Sequence, residues 1–334
     1  MNNLKVGLLG GGSWGCTVAS LVAKNTDVSL WARDPATVEE INLHHTNKKY
    51  LPDAVLPNNV VASADLATAV KDIDVLIMGV PSNSFRTVLQ QVRPHIRAWI
   101  PIISLTKGLE KDSDLRMTQV IQEELPGHPV GVLTGPNLAR EIMAGQAAAS
   151  VIAMDDEIIV HELQKVFNSG LFRVYTNDDV IGCELGGVLK NIIAIAVGMG
   201  VGLGAGDNTR SALITRGLAE VTRLGVALGG RAETFAGLAG MGDMLATCIS
   251  PQSRNHQVGI QLGKGRPIDD IIAEMVMVAE GVKSAPTVIK LAKKHNIRMP
   301  IATDVSEVID GRRTSTQAFL GLLRRSAGAE HEPG

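Results

Sequence analysis

From its N-terminus to about residue 178 the chain alternates short apolar runs with longer stretches in which apolar residues recur at helical spacing. Strands are predicted over 5–9, 28–31, 75–80, 102–105, 131–133, 150–154 and 172–175. Several are apolar on both faces, as strands are when helices cover a parallel sheet on each side. Helices are predicted between most of them, over 14–24, 36–44, 84–91 and 155–167. Alternating strand and helix argues a doubly wound α/β domain. Beyond Asn177 the period changes. A long apolar helix is expected to open at Asp178 and Asp179, followed by helices over 209–228, 255–263, 268–277, 284–295 and 316–325, with no convincing strand. The expected organisation is an α/β domain over 1–178 and an all-helical domain over 179–334, whose aperiodic tail from residue 326 frays.

Composition narrows the classes. Hydrophobic residues make up 45% and charged residues 20%, a balance that buries a core and excludes disorder for the bulk of the chain. Lys and Arg number 32 against 34 Asp and Glu, so no global field draws nucleic acid, and aromatics at 3% leave few rings for stacking on bases. Cys16, Cys183 and Cys248 are dispersed, with no CxxC pair, which argues against a disulfide framework or a metal site and for a reducing cytoplasm. The N-terminus, MNNLKVGLLG, carries no secretion signal. The most apolar stretch, 192–206, falls short of the roughly 20 residues that cross a bilayer and is interrupted by glycines. A soluble protein without a membrane span is expected.

Gly10, Gly12 and Gly15 form GxGxxG directly after the first strand and at the start of a helix. That context points to a dinucleotide. The first glycine permits the tight turn, the second admits the pyrophosphate, and the third lets helix pack on strand, so that helix N–H groups face the negative charge. The domain is therefore expected to be Rossmann-like. The second strand ends at Arg33 and Asp34. An acid there selects the ribose hydroxyl of NAD and an arginine the 2′-phosphate of NADP, and Arg33 coming first favours NADP(H), with NAD(H) as the alternative.

Lys190 stands in LGGVLKNIIAIA, where nearly everything else is apolar. Burial and a neighbouring cation would both lower its pKa toward working pH, fitting it to exchange a proton with a hydroxyl or carbonyl as hydride moves. Lys107, after another strand, is a candidate for that neighbouring cation and for holding an anionic substrate. Asp243, in GMGDMLAT, could orient Lys190 or a substrate hydroxyl. Ser253, Arg254 and Asn255 then offer a fork of donors suited to a phosphate.

Taken together these segments resemble the bacterial, biosynthetic type of NAD(P)-dependent glycerol-3-phosphate dehydrogenase. The matching stretches are GGGSWG (10–15), NKKYLP (47–52), SLTKGLE (104–110), LTGPNLAREI (133–142), LGGVLKNIIAIAVGM (185–199), GDNTRSALITRGLAE (206–220), GLAGMGDMLATC (237–248), SPQSRNH (250–256) and VAEGV (278–282). The resemblance implies cofactor contacts at Ser13, Trp14, Arg33, Lys107 and Ala139, and also at Arg254, Val278 and Glu280. It implies a proton-transferring Lys190, with Lys107, Gly135, Asn137, Asp243, Ser253, Arg254 and Asn255 around the substrate. Asn137 departs from the Ser or Thr common in bacterial relatives, which puts that one contact in question. Also implied are reduction of dihydroxyacetone phosphate to sn-glycerol 3-phosphate, a homodimer and a role in supplying the phospholipid backbone. Alternatives are another lysine-dependent hydroxyacid dehydrogenase or ketopantoate-type reductase, which would want a carboxylate site, and a non-catalytic dinucleotide sensor.

Overall fold

In the computed structural model an eight-stranded sheet, ordered β10-β9-β8-β7-β6-β1-β2-β5, organises the first half of the chain. Its strands are β1 (Lys5–Leu9), β2 (Asp27–Trp31), β5 (Val60–Ser63), β6 (Val75–Met78), β7 (Ile102–Ser104), β8 (Val130–Thr134), β9 (Ala148–Met154) and β10 (Phe172–Asn177). A small antiparallel pair, β3 (Thr46–Asn47) and β4 (Leu51–Val55), stands apart from it. The helices between are α1 (Ser13–Val22), α2 (Pro35–His44), α3 (Leu66–Ala69), α4 (Ser82–Val92), α5 (Met117–Glu124), α6 (Ala139–Met143) and α7 (Glu157–Phe167). The described residues, 4–275 and 279–323, fall into two compact units that divide after Val180.

The central strands are apolar and buried on both faces: every residue of β6, β7 and β8 is buried. Two separate apolar clusters lie against the sheet, one around Val18, Leu30 and Phe167 and the other around Leu76, Phe85 and Ile121. The sheet is not wholly parallel. β9 runs antiparallel to β8, and β10 follows β9 in parallel. Alternation of residues fixes which face is buried but carries no direction, so this reversal was not in the pattern.

The second unit is helical throughout its described residues: α8 (Val180–Gly202), α9 (Asp207–Ala227), α10 (Ala232–Ala236), α11 (Asp243–Ile249), α12 (Arg254–Gly263), α13 (Ile268–Ala273), α14 (Glu280–Lys294), α15 (Pro300–Ile309) and α16 (Ser315–Leu323). The expectation of an apolar stretch too short to cross a bilayer needs correction. α8 has 23 residues and is long and apolar enough by composition, but its most apolar window is 94% buried inside the fold, which is the environment of a core helix. Its glycines have a packing reason. A Cβ on Gly198 would lie 2.2 Å from the His256 carbonyl, and one on Gly202 would lie 2.4 Å from that of Ile260. The facing residues of α12 are also glycines, and a Cβ on Gly259 or Gly263 would meet the Ile195 or Met199 carbonyl at 2.1 and 2.4 Å. Two parallel helices thus touch backbone to backbone. The expected fraying tail lies outside the described residues.

Candidate active site

The glycine turn is built by sterics. Gly10 has φ of +130°, and a Cβ there would sit 2.5 Å from the Gly79 carbonyl on the neighbouring strand's exit. At Gly15 it would sit 1.9 Å from the Gly10 carbonyl, so α1 can start this close to β1 only with glycine. At Gly12 a Cβ would meet nothing within 4 Å, and α1 has no side-chain cap there. The start of α1 at Ser13 is thus open at Gly12 and not covered by a capping side chain, the setting in which a helix start receives an anion. Beside it the Trp14 indole N–H is buried with no hydrogen-bond partner. A glycine with space before it, an uncapped helix start and an orphaned donor fit a dinucleotide phosphate. Asn47, at β3, braces the turn by donating to the Gly11 carbonyl at 2.8 Å.

At the end of β2, Asp34 is taken up as the cap of α2. Its carboxylate accepts from Ala36 N–H at 3.1 Å and from the Thr37 hydroxyl at 3.2 Å. Arg33 is exposed. A third group surrounds Lys107, half-buried in the loop after β7, whose Nζ donates to the Gly135 carbonyl at 2.9 Å. Asn137 follows, its amide donating to Ser150 Oγ at 3.2 Å while its Oδ1 is buried and unpartnered, as is Thr134 Oγ1. Lys107, Gly135 and Asn137 are therefore brought together. Ala139, at the first position of α6, packs its methyl on the sheet core.

The second unit gathers the rest. Lys190 is 5% exposed and Asp243 1%. Lys190 Nζ donates to Asp243 Oδ1 and, at 2.6 Å, to Thr247 Oγ1, whose own hydroxyl donates to the Asp243 carbonyl at 2.6 Å. Asp243 thus orients Lys190, one of the two roles the sequence left open for it, and within this unit the charged neighbour of Lys190 is this anion. Burial opposes the ammonium, and the carboxylate and hydroxyl stabilise it. A single π-helical turn over Leu238–Gly242 leads straight into α11 and delivers Asp243 to this point.

Ser253 caps α12, its Oγ accepting from His256 N–H at 3.3 Å. Arg254 occupies the first turn with an exposed side chain, yet enough protein surrounds it that desolvation lowers its pKa below the ordinary arginine value, against the opposing pull of the Glu280 carboxylate. Asn255 is committed within the protein: its amide donates to Asn191 Oδ1 at 2.9 Å and its oxygen accepts from Gly281 N–H at 3.0 Å. That strut links the helices bearing Lys190, Arg254 and Glu280. Val278 lies outside the described residues. Thr247 and Asn191 were not singled out as site residues from the sequence. Thr247 stands one helical turn after Asp243, a spacing that would have found it, whereas nothing local signals Asn191.

Comparison with known proteins matches both units. A family model described as NAD-dependent glycerol-3-phosphate dehydrogenase N-terminus covers residues 5–160, and the corresponding C-terminus model covers residues 179–320. The chain is 68% identical to glycerol-3-phosphate dehydrogenase [NAD(P)+] 2 of Sphingopyxis alaskensis, over 99% of each chain. It is 51% identical to glycerol-3-phosphate dehydrogenase [NAD(P)+] 1 of Mycobacterium bovis, over 98% of this chain and 96% of that one. The crystal structure of glycerol-3-phosphate dehydrogenase from Coxiella burnetii superposes with a TM-score of 0.92 at 37% identity, covering 96% of this chain and 99% of that one.

Proposed function

The chain belongs to the NAD-dependent glycerol-3-phosphate dehydrogenase family, and we propose that it interconverts dihydroxyacetone phosphate and sn-glycerol 3-phosphate with Lys190 as the proton-transferring group. It is an oxidoreductase that uses a nicotinamide cofactor. The observation that carries the mechanism is the buried Lys190–Asp243–Thr247 cluster. An ammonium held by a carboxylate and a hydroxyl is charged, aimed and screened from water, as a general acid must be.

When bound, the cofactor supplies the hydride that C2 of the ketone accepts. Gly10, Gly12 and Gly15, with Ser13 and Trp14, would hold its phosphates, and Ala139, Arg254 and Glu280 would add further contacts. Arg254 and the first-turn N–H groups of α12, with the Ser253 hydroxyl, clamp the substrate phosphate. Asn255 serves by fixing that turn against α8 and α14. Lys107, held on the Gly135 carbonyl, adds positive charge beside Asn137 for the substrate. Lys190 then delivers its proton to the C2 oxygen and recovers one in the reverse direction, while Asp243 and Thr247 keep Nζ in place.

For cofactor choice the reading is NADPH over NADH. Its support is that Asp34, the acid that would bind the NAD ribose, is spent on capping α2, while Arg33 is left exposed at the strand tip. Purified protein assayed by nicotinamide absorbance should oxidise NADPH rapidly with dihydroxyacetone phosphate and not with ketopantoate or a β-keto acid. Turnover of a carboxylate substrate and none of dihydroxyacetone phosphate would overturn the phosphate site.

A further inference from the structure

Resting on the reading of Lys107 as a substrate contact, we propose that Arg86 is a positioning residue for Lys107, acting through Glu110. Lys107 lies in an irregular loop between β7 and α5, and a long side chain on a loop holds a substrate only if the loop itself is held. Upstream the loop is tied to the sheet. Leu105 N–H donates to the Met78 carbonyl at 2.9 Å, and the Thr106 hydroxyl donates to the Val80 carbonyl at 2.7 Å.

Downstream the tie is Glu110. Arg86, on α4, donates from Nε and Nη2 to the two Glu110 carboxylate oxygens at 2.8 and 2.7 Å, the planar two-pronged pairing that fixes direction as well as distance. The same guanidinium reaches α5, donating to Glu124 at 2.6 Å and Glu123 at 2.7 Å. The turn after Glu110 closes on itself: Ser113 Oγ donates to the Glu110 carboxylate at 2.6 Å, and Glu110 N–H donates to the Leu115 carbonyl at 2.9 Å. Lys107 is thus bracketed between a hydroxyl tie to the β6 exit and an arginine fork on α4. Arg86 foremost holds the Glu110 carboxyl below the ordinary carboxylate range, so the pairing is charged at working pH.

Charge arithmetic makes the arrangement asymmetric. One guanidinium faces three carboxylates, those of Glu110, Glu123 and Glu124. Without Glu110 the loop is released. Without Arg86 three like charges face one another, and the loop is repelled. Glu123, 53% exposed, binds Arg86 from the α5 side only and should be dispensable to Lys107.

The test is a kinetic double-variant cycle on the full chain, read in KM for dihydroxyacetone phosphate and in kcat. Arg86→Gln should raise KM about tenfold with a smaller change in kcat, Glu110→Gln less, Arg86→Lys between wild type and Arg86→Gln, and Glu123→Gln under about twofold. In a Lys107→Ala background, Arg86→Gln should add less than about twofold, because the group it positions is gone. Full multiplication of the two effects would overturn the proposal, as would an unchanged KM in folded Arg86→Gln. Should Arg86→Gln not fold, Glu110→Gln completes the same cycle with the same outcomes. An unaltered KM in Lys107→Ala alone would instead overturn the reading of Lys107 on which the proposal rests.

Discussion

Lys190 and Asp243, 5% and 1% exposed, each keep a charge in the interior because the other is there. Removing one partner of such a pair costs about 3–5 kcal/mol, since the survivor is left buried without its counter-charge, whereas neutralising both is far milder. Lys190→Met strands the Asp243 carboxylate, and Asp243→Asn strands the ammonium. At about 2–4 °C per kcal/mol for a folding unit of this size, each single variant should lose roughly 6–20 °C in Tm. The double variant Lys190→Met/Asp243→Asn should be more stable than the sum of the singles by on the order of 2 kcal/mol. Trp14, Trp31 and Trp99 all lie in the first unit, so far-ultraviolet circular dichroism, not tryptophan fluorescence, is the probe for this one. Turnover is the second readout. All three variants should lose about 10²–10⁴-fold in kcat, the usual worth of a positioned acid, and the double variant should recover stability without recovering rate. Singles that add to within about 0.5 kcal/mol would refute the pairing. A near-normal rate in Lys190→Met would remove that lysine from the chemistry.

Three further outcomes follow from the geometry. Arg33→Glu should raise KM for NADPH much more than for NADH, and equal effects would end the assignment of Arg33 to a 2′-phosphate. Gly12→Ala, where a Cβ meets nothing within 4 Å, should fold with wild-type Tm yet lose cofactor binding by calorimetry, whereas Gly15→Ala, at 1.9 Å from the Gly10 carbonyl, should lower Tm as well; normal affinity in Gly12→Ala would show that no phosphate approaches there. Burial pushes the Cys16 thiol from 9.0 up to about 11 and the Cys248 thiol up to about 12. The folded state thus retains protons that the unfolded chain releases above pH 9.0, so the stability these thiols contribute is present below that pH and is lost as pH rises toward 11 and 12. A urea midpoint in a Cys16→Ala/Cys248→Ala variant that falls as steeply as wild type over that range would count against it.

Much of the first unit was legible because its central strands are apolar on both faces, a pattern short of competitors. Some of what escaped notice was short or half-exposed, and some was capped from elsewhere in the chain. The edge strand β5 has buried and open positions in alternation over only four residues. α15 starts on a proline and is capped from a distance, by the buried Glu220 carboxylate accepting from Ile301 N–H at 2.7 Å and Ala302 N–H at 3.2 Å. No local signal announces a cap supplied by another helix. In the site, Lys190 stood out as a lone charge on an apolar helix and Asp243 as an acid able to orient it. Spacing could not choose between Lys190 and a substrate hydroxyl as the partner of Asp243; the structure pairs it with Lys190 and adds Thr247.

The glycines of α8 are the most instructive case. Read along one helix they weaken it, since each glycine costs about 1 kcal/mol relative to alanine. Read against α12 they form a register. Gly198 faces Gly259 and Gly202 faces Gly263, four residues apart on both helices, and at the start of the same seam Asn191 accepts from Asn255 at 2.9 Å. The Asn191–Asn255 contact ties the neighbour of Lys190 to the neighbour of Arg254, and the glycine pairs extend the same seam further along both helices. A methyl at Gly259, 2.1 Å from the Ile195 carbonyl, would wedge apart the helices that carry Lys190 and Arg254. The helix gives up intrinsic stability along its own length and gains a close backbone approach to α12, and that exchange can be read only when both sequences are laid side by side.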